Sequence, residues 1–566
     1  MFKGHPKGLY VAFFTNMGER FGYYTMLAIF VLYLQAKFGW TETKAGNVYG
    51  FFMFGIYFLP LLGGIVADNL LGYGKTIVIG TIVMFLGYAM LATPAFAEQA
   101  DLGMGNNFPY FIFAALTVIS LGTGFFKGNL QALVGNMYDD PKYGKLRDSA
   151  FLLFYMGINI GAFFAPSAAQ AARNWMLEQS GLAYNSKAAG LAHKYLDGSL
   201  QDVGELMDIA RTQMGDAFTN LTDFSQNYIS SIGQAYNAGF GVAALSMILS
   251  FIIFVSFRKY YKKADVTHKQ TAKTTTEALP KLSKKEYNTR LVALGLVFLV
   301  VIFFWMAFHQ NGFTLTVFAR DYTVENVPWY TAIFFNLKSF LPLILAIIGM
   351  VLLFGKNNTK KKKLGGMALL VAGAAVTYWA TTTYSPTGND ISPELFQQFN
   401  PIFIVFLTPI IIGMFDILRK KGKEPSSPKK IGIGMIITAI GFLLLVVASF
   451  NLPSPNELDQ GFVVDQANLR SPYWLIGTYF TLTVAELFLS PLGISFVSKV
   501  APPQLKGLAQ GGWFGATAIG NLIAGFIGRF WDSWELWQFF LLLVVLCILS
   551  AIFIFSILKK LERATG

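Results

Sequence analysis

Apolar residues run along this chain in stretches of about 20, the length that crosses a hydrocarbon core, with polar turns between them. About 14 such stretches are expected, all helical. The first six lie near 11–35, 46–67, 74–95, 108–134, 149–171 and 235–257. A seventh covers 291–319, and two more lie near 329–354 and 364–384. The last five lie near 399–418, 431–450, 472–498, 506–529 and 534–558. The pattern predicts an all-α polytopic membrane protein.

The turns fix an orientation. With the amino terminus inside, the basic loops at Lys75, Lys142–Arg147, Arg258–Arg290, Lys356–Lys363, Arg419–Lys430 and Lys559–Arg563 all fall in the cytoplasm. Both termini are then cytoplasmic, and the less basic loops Asn174–Gly233 and Asn451–Ser471 fall outside. The basic leader Met1–Lys7 enters the first span directly and is expected to stay uncleaved. Segment 174–233 reads as a polar, partly helical insertion, either a solvated cap or a partner surface. Segment 329–384 reads as a peripheral hairpin facing lipid, with Asn336 and Lys338 its main polar residues. Lys338 then needs a partner or a route to the interface.

The first span is not uniformly oily. It carries Glu19 and Arg20 within Asn16-Met17-Gly18-Glu19-Arg20-Phe21-Gly22-Tyr23-Tyr24. Ionised groups at membrane depth cost several kcal/mol unless they face a polar interior, so they mark solute or ion pathways. Asn16, Arg20, Tyr23 and Leu27 recur at four, three and four residues and make one stripe, flanked by Glu19 and Tyr24. A purely structural Glu19–Arg20 ion pair is the alternative. Lys127, deep in the fourth span, and Glu486, midway along 472–498, are further charges at membrane depth.

Composition agrees with the pattern. The chain is 54% hydrophobic and 13% charged, with mean hydropathy +0.50. Its net charge of +13 sits in the loops between spans and reads as topology, not as nucleic-acid binding. The single cysteine, Cys547, excludes an internal disulfide and a cysteine metal cluster. The sequence holds no HExxH, Walker loop or paired CxxC, which argues against a membrane enzyme and an ATP-driven pump. A receptor or scaffold would leave the buried charges unexplained.

Several motifs occur in order. Gly63-Gly64-Ile65-Val66-Ala67-Asp68, then Gly72, follows the second span. Gly122-Thr123-Gly124-Phe125-Phe126-Lys127-Gly128-Asn129 lies on the fourth, and Phe151–Ala162 on the fifth. Glu486–Gly493, Trp513-Phe514 and Gly520-Asn521 lie on later spans. With the first-span cluster, these resemble the proton-dependent oligopeptide transporter family of the major facilitator superfamily. The resemblance implies two six-helix bundles around a midplane site, plus two extra helices. The bundles are expected at 1–257 and 291–566, joined by a cytoplasmic linker at 258–290. The extra pair, 329–384, falls inside the second bundle, whereas similar bacterial transporters carry theirs between the bundles.

The resemblance also implies roles. Arg20, Tyr23, Tyr24, Tyr57, Lys127, Asn159, Asn400, Glu486 and Trp513 would bind substrate. Lys127 would meet a peptide carboxylate and Glu486 its amino group. Asn159 and Asn400 would grip the peptide backbone. Glu19, His309 and Glu486 are the proton-coupling candidates, and Asp68 is a gate and packing residue. Transport would draw on a proton gradient, with no cofactor, metal or nucleic acid. Its partners would be di- and tripeptides, protons and the bilayer, in a bacterial inner membrane.

Three positions depart from the family pattern. Asn16 replaces a glutamate, Leu27 an arginine and His309 an acid. The last two would pair across the outer gate, so the gate must be held in another way. His309 either carries protons or is a neutral hydrogen-bonding residue. Expected activity is proton-coupled import of di- and tripeptides. The alternatives are a carrier of nitrate, an amino-acid conjugate or a drug-like solute, and a peptide carrier with altered or weak coupling.

Overall fold

The computed structural model describes residues 4–265, 283–355, 358–386, 388–460, 464–502 and 505–564. Linker residues 266–282, Lys356 of the expected basic run, 461–463 of the loop Asn451–Ser471, and the side chains of Pro491 and Leu492 lie outside the described residues.

The first half comprises α1 (Lys7–Phe38), α2 (Glu42–Val66), α3 (Tyr73–Ala92), α4 (Phe108–Asn136) and α5 (Arg147–Gln179). Two short helices, α6 (Ala188–Leu196) and α7 (Gly204–Met214), precede α8 (Leu221–Ser256). The second half begins with α9 (Lys284–Phe308) and α10 (Thr314–Tyr322). The hairpin α11 (Leu337–Phe354) and α12 (Lys360–Thr381) follows. Then come α13 (Phe399–Lys420), α14 (Ser427–Ser449), α15 (Pro472–Val500), α16 (Lys506–Trp531) and α17 (Leu536–Ser556). Twelve helical stretches among the described residues are long and apolar enough to cross a membrane. α15 and α16 lie outside that set and are 29 and 26 residues long.

Local chemistry sets the ends. Gly39 stops α1 because it takes φ 62°, and its N–H donates to Gln35 O at 2.8 Å. Thr41, Asn220, Ser283 and Thr359 accept first-turn N–H groups at the starts of α2, α8, α9 and α12. Asn336 does the same for α11, so that helix starts at Leu337 and not at 329. Lys338 therefore stands exposed in the first turn of α11. The seventh span is broken, not continuous: a 3₁₀ turn at His309–Gly312 separates α9 from α10.

Apolar helices gain little by burial within lipid, so close contact and polar links hold them together. α1 packs on α5 and α8, α3 on α4 and α8, and α2 on α4. In the second half α14 packs on α15 and α17, and α9 on α16 and α17. The halves meet along two seams, α2 with α16 and α5 with α13. In the first, a Cβ on Gly50 would lie 2.9 Å from Gly525 Cα, so only glycine permits the approach. α11 and α12 pack mainly on each other, Gly349 facing the backbone of Gly366 and Leu370. Strands β1 (Asn326–Val327) and β2 (Asn389–Asp390) pair antiparallel at the foot of this hairpin.

We call the end holding the α1–α2 turn, α6 and α7 the cap face, and the other the terminal face. At the terminal face His5 bonds Tyr138 and Ser149, and Glu562 accepts from Ser426. Polar links between the halves gather at the cap face. Arg320 donates to Gln35 and Glu42, Thr43 N–H to Asp532, and Gln397 to Ala28 O.

Candidate functional site

Glu19 and Arg20 form a bidentate pair, Nε to Oε2 at 2.5 Å and Nη2 to Oε1 at 2.6 Å, and both are buried. The guanidinium also lies 4.8 Å from the Tyr23 ring centre. The ion pair weighed as a structural reading thus exists, and its desolvation offsets much of its attraction. Asn16, Tyr23 and Leu27 of the same stripe are also buried. The Tyr23 hydroxyl donates to Met53 Sδ at 3.1 Å, and its ring meets Tyr24 edge-on at 5.0 Å. The Asn16 amide reaches Phe154 O at 3.5 Å.

Lys127 is half-buried on α4, and its Nζ lies 3.6 Å from the Tyr57 ring centre. Phe514 of the second half is 5.7 Å away. No ion pair forms at Lys127 among the described residues. The aromatic face supplies a cation–π contact, which leaves N–H donors for a ligand.

Glu486 on α15 is 7% exposed. Asn400 donates to its Oε2 at 2.9 Å and the Tyr155 hydroxyl to its Oε1 at 3.3 Å. Asn400 also donates to Thr483 at 3.0 Å. Tyr155 belongs to α5, so this carboxylate sits at the seam between the halves. It too has no cationic partner among the described residues. Two opposite charges thus stand at the inter-half surface, each without a counter-ion among the described residues.

His309 occupies the break in the seventh span. Its Nδ1 shares a 3.2 Å hydrogen bond with Trp305 O, which can only accept, so Nδ1 carries the proton. Its ring stacks on Trp305 at 5.0 Å and meets Tyr57 at 5.7 Å. The Tyr49 hydroxyl donates to His309 O at 3.1 Å and so ties the break to α2.

Other expected residues are differently placed. Asn159 Nδ2 donates to Tyr155 O at 3.0 Å, so this nitrogen is engaged within α5. Trp513 is only 3% exposed and fills the space beside Gly493, so in this state it is packing and not an open wall. Asp68 accepts from the Tyr73 hydroxyl at 2.7 Å in the π-turn Ala67–Leu71, away from the two charges. Tyr155 lies in the fifth-span motif Phe151–Ala162, yet the sequence assigns it no role at the site, although it stands four residues before Asn159 on one helical face. Arg173 and Glu394 are likewise absent from the residues the sequence singles out.

Comparison with known proteins follows this geometry. A model of the POT family matches residues 74–288 and 371–536. The chain is 29% identical over 549 residues to the peptide transporter YePEPT of Yersinia enterocolitica, covering 93% of this chain and 88% of that protein. It is 27% identical over 528 residues to dipeptide and tripeptide permease B of Xenorhabdus bovienii, covering 92% and 86%. Its fold resembles a crystal structure of a POT peptide transporter in complex with alafosfalin, with TM-score 0.66, 22% identity, and coverage of 100% and 96%.

Proposed function

Since the chain belongs to the POT family, and is a transporter, not an enzyme, we propose that it imports di- and tripeptides with protons by alternating access. The observation that carries this reading is that Lys127 and Glu486, of opposite charge, each lack a counter-ion among the described residues at the surface where the halves meet. A zwitterion supplies both missing charges at once. Nitrate supplies only one and would leave Glu486 unanswered.

In this reading Lys127 takes the peptide carboxylate and Glu486 the ammonium. Asn400 orients Glu486 and, with Asn159, offers amide contacts to the backbone. Tyr23, Tyr24 and Tyr57 form the wall by Arg20, and Trp513 joins it when the second half shifts. Glu19 and Glu486 are the proton candidates, His309 takes the neutral hydrogen-bonding role against Trp305 O, and Asp68 steadies the turn after α2. The bundles are 1–257 and 291–566 around a cytoplasmic linker at 258–290. Counting α15 and α16 makes 14 spans; an even number puts both termini on one side, and the basic loops make that side the cytoplasm. The cap face, where the polar links between the halves gather, then lies outside. A bacterial inner membrane fits the relatives' sources.

The test is uptake of labelled dialanine into liposomes, with and without an inward proton gradient. Concentrative uptake only with the gradient is expected. Uptake that merely equilibrates in both conditions removes the coupling, and no uptake by folded protein removes the peptide.

A further inference from the structure

Near the cap face, α5 carries Ser167, Gln170 and Arg173 three residues apart, on one stripe. Each reaches the turn that starts α13 in the other half. Ser167 Oγ donates to Gln398 Oε1 at 3.4 Å and Gln170 Nε2 to Ser392 Oγ at 2.9 Å. Arg173 Nη1 donates to Glu394 Oε1 at 2.6 Å and Nη2 to Ser392 Oγ at 3.2 Å. Asn174 Oδ1 accepts from Nε and Nη2, so every guanidinium nitrogen is engaged. Both side chains of the ion pair are 0% exposed, and Glu394 Oε2 has no hydrogen-bond partner among the described residues.

The insertion between α5 and α8 completes the enclosure. Its Tyr184 ring centre lies 3.4 Å from the Arg173 guanidinium carbon, with Tyr236 of α8 at 5.9 Å. The insertion also grips both halves. His193 Nε2 bonds Ala36 O at 2.9 Å, and Lys194 Nζ donates to Leu458 O at 2.8 Å. A cavity of about 370 Å³ lies between it and the helices below.

We propose that Arg173–Glu394 is the latch of the outer face, standing in for the pair lost at Leu27 and His309, and that the insertion keeps it dry through Tyr184. The proposal rests on the alternating-access part of the reading above and not on the peptide. A fully buried pair gains little net energy, because desolvation offsets its attraction. Parting the halves rehydrates both charges together, so the latch opens without stranding either. Removing one charge strands the other only in the closed state, which tilts the balance towards open. A merely structural pair would lower stability without changing the spacing of the outer ends.

The test uses full-length protein in lipid nanodiscs without substrate. Cys547, which is buried, is first replaced by Ser. Spin labels at Asn106→Cys and Asn468→Cys, both exposed on outer loops, report the separation of the halves. The parent should give one short distance. Glu394→Gln should add a longer population, and Tyr184→Ala a smaller one. Arg173→Gln with Glu394→Gln should return the distribution towards the parent, since no charge is stranded. Parent-like distances in folded Glu394→Gln overturn the latch. If that variant does not fold, parent-like distances in Tyr184→Ala overturn it. Opening of Glu394→Gln beside a parent that takes up no dialanine keeps the latch and removes the peptide reading.

Discussion

Replacing Glu486 by Gln tests the ammonium end of the site while preserving its shape. Among the described residues only neutral donors, Asn400 and Tyr155, reach the carboxylate. A hydrogen bond involving a charged group contributes about 1.5–3 kcal/mol. Its loss multiplies Kd by about 10–150. Folding should be spared, because the glutamine Oε1 can accept from Asn400 and the Tyr155 hydroxyl can turn to accept from Nε2. The assay is thermal unfolding with and without dialanine. At about 100 times the wild-type Kd, occupancy stabilises the protein by about 2.7 kcal/mol. If Kd rises about 100-fold, the same concentration gives about 0.4 kcal/mol, so the ligand-induced shift in Tm falls to about a seventh. N-acetyl-dialanine, which lacks the ammonium, should shift neither protein. A full dialanine shift in Glu486→Gln, or wild-type binding of the acetylated peptide as tight as that of dialanine, refutes the assignment.

Lys127→Gln should abolish the preference for dialanine over its carboxy-terminal amide, measured by competition for uptake; a retained preference removes Lys127 from the carboxylate end. His309→Gln should leave the pH profile of uptake unchanged, because the histidine bonds Trp305 O and stacks on aromatic rings; a displaced profile makes it a proton carrier. Gly50→Val should cost about 1–3 kcal/mol by overpacking the Gly525 contact, and an unchanged unfolding midpoint counts against that contact. Hydrogen bonds from Arg419 and Lys430 pull the Glu424 carboxyl down to about 2. Its stabilising effect is present above its ordinary value near 4.5 and is lost as pH falls through about 2. Glu424→Gln should lower stability at pH 7, little through exposed Arg419 and more through buried Lys430. That deficit should vanish in acid, and one that persists below pH 2 contradicts the ion-pair account.

Most of the helices were legible because apolar runs of membrane length have few other uses. Their ends were less so. α8 begins at Leu221 and not near 235, since Asn220 caps a polar stretch that continues the helix beyond the apolar run. The break at His309–Gly312 hid inside an oily run, with Asn311-Gly312 its only local sign. Lys127 and Glu486 stood out as charges in apolar surroundings. Arg173 and Glu394 did not, because both lie near the ends of apolar runs, where charges ordinarily meet water. Their pairing spans 221 positions of sequence and leaves no local trace. The three-residue spacing of Ser167, Gln170 and Arg173 was the available sign. Trp513 was readable as an aromatic on the right helix, but its packing against Gly493 depends on how two helices meet.

The two seams have mechanical consequences because they are built differently. At α2–α16 backbone meets backbone through Gly50 and Gly525, flanked by the packed rings of Phe51 and Phe526. At α5–α13 long side chains hook a short turn. The first edge behaves as a stiff pivot and the second as a compliant one. A body hung this way parts as a wedge, widest beside α5. On the proposed orientation, the first gap at the outer face is therefore off the central axis, next to the insertion between α5 and α8.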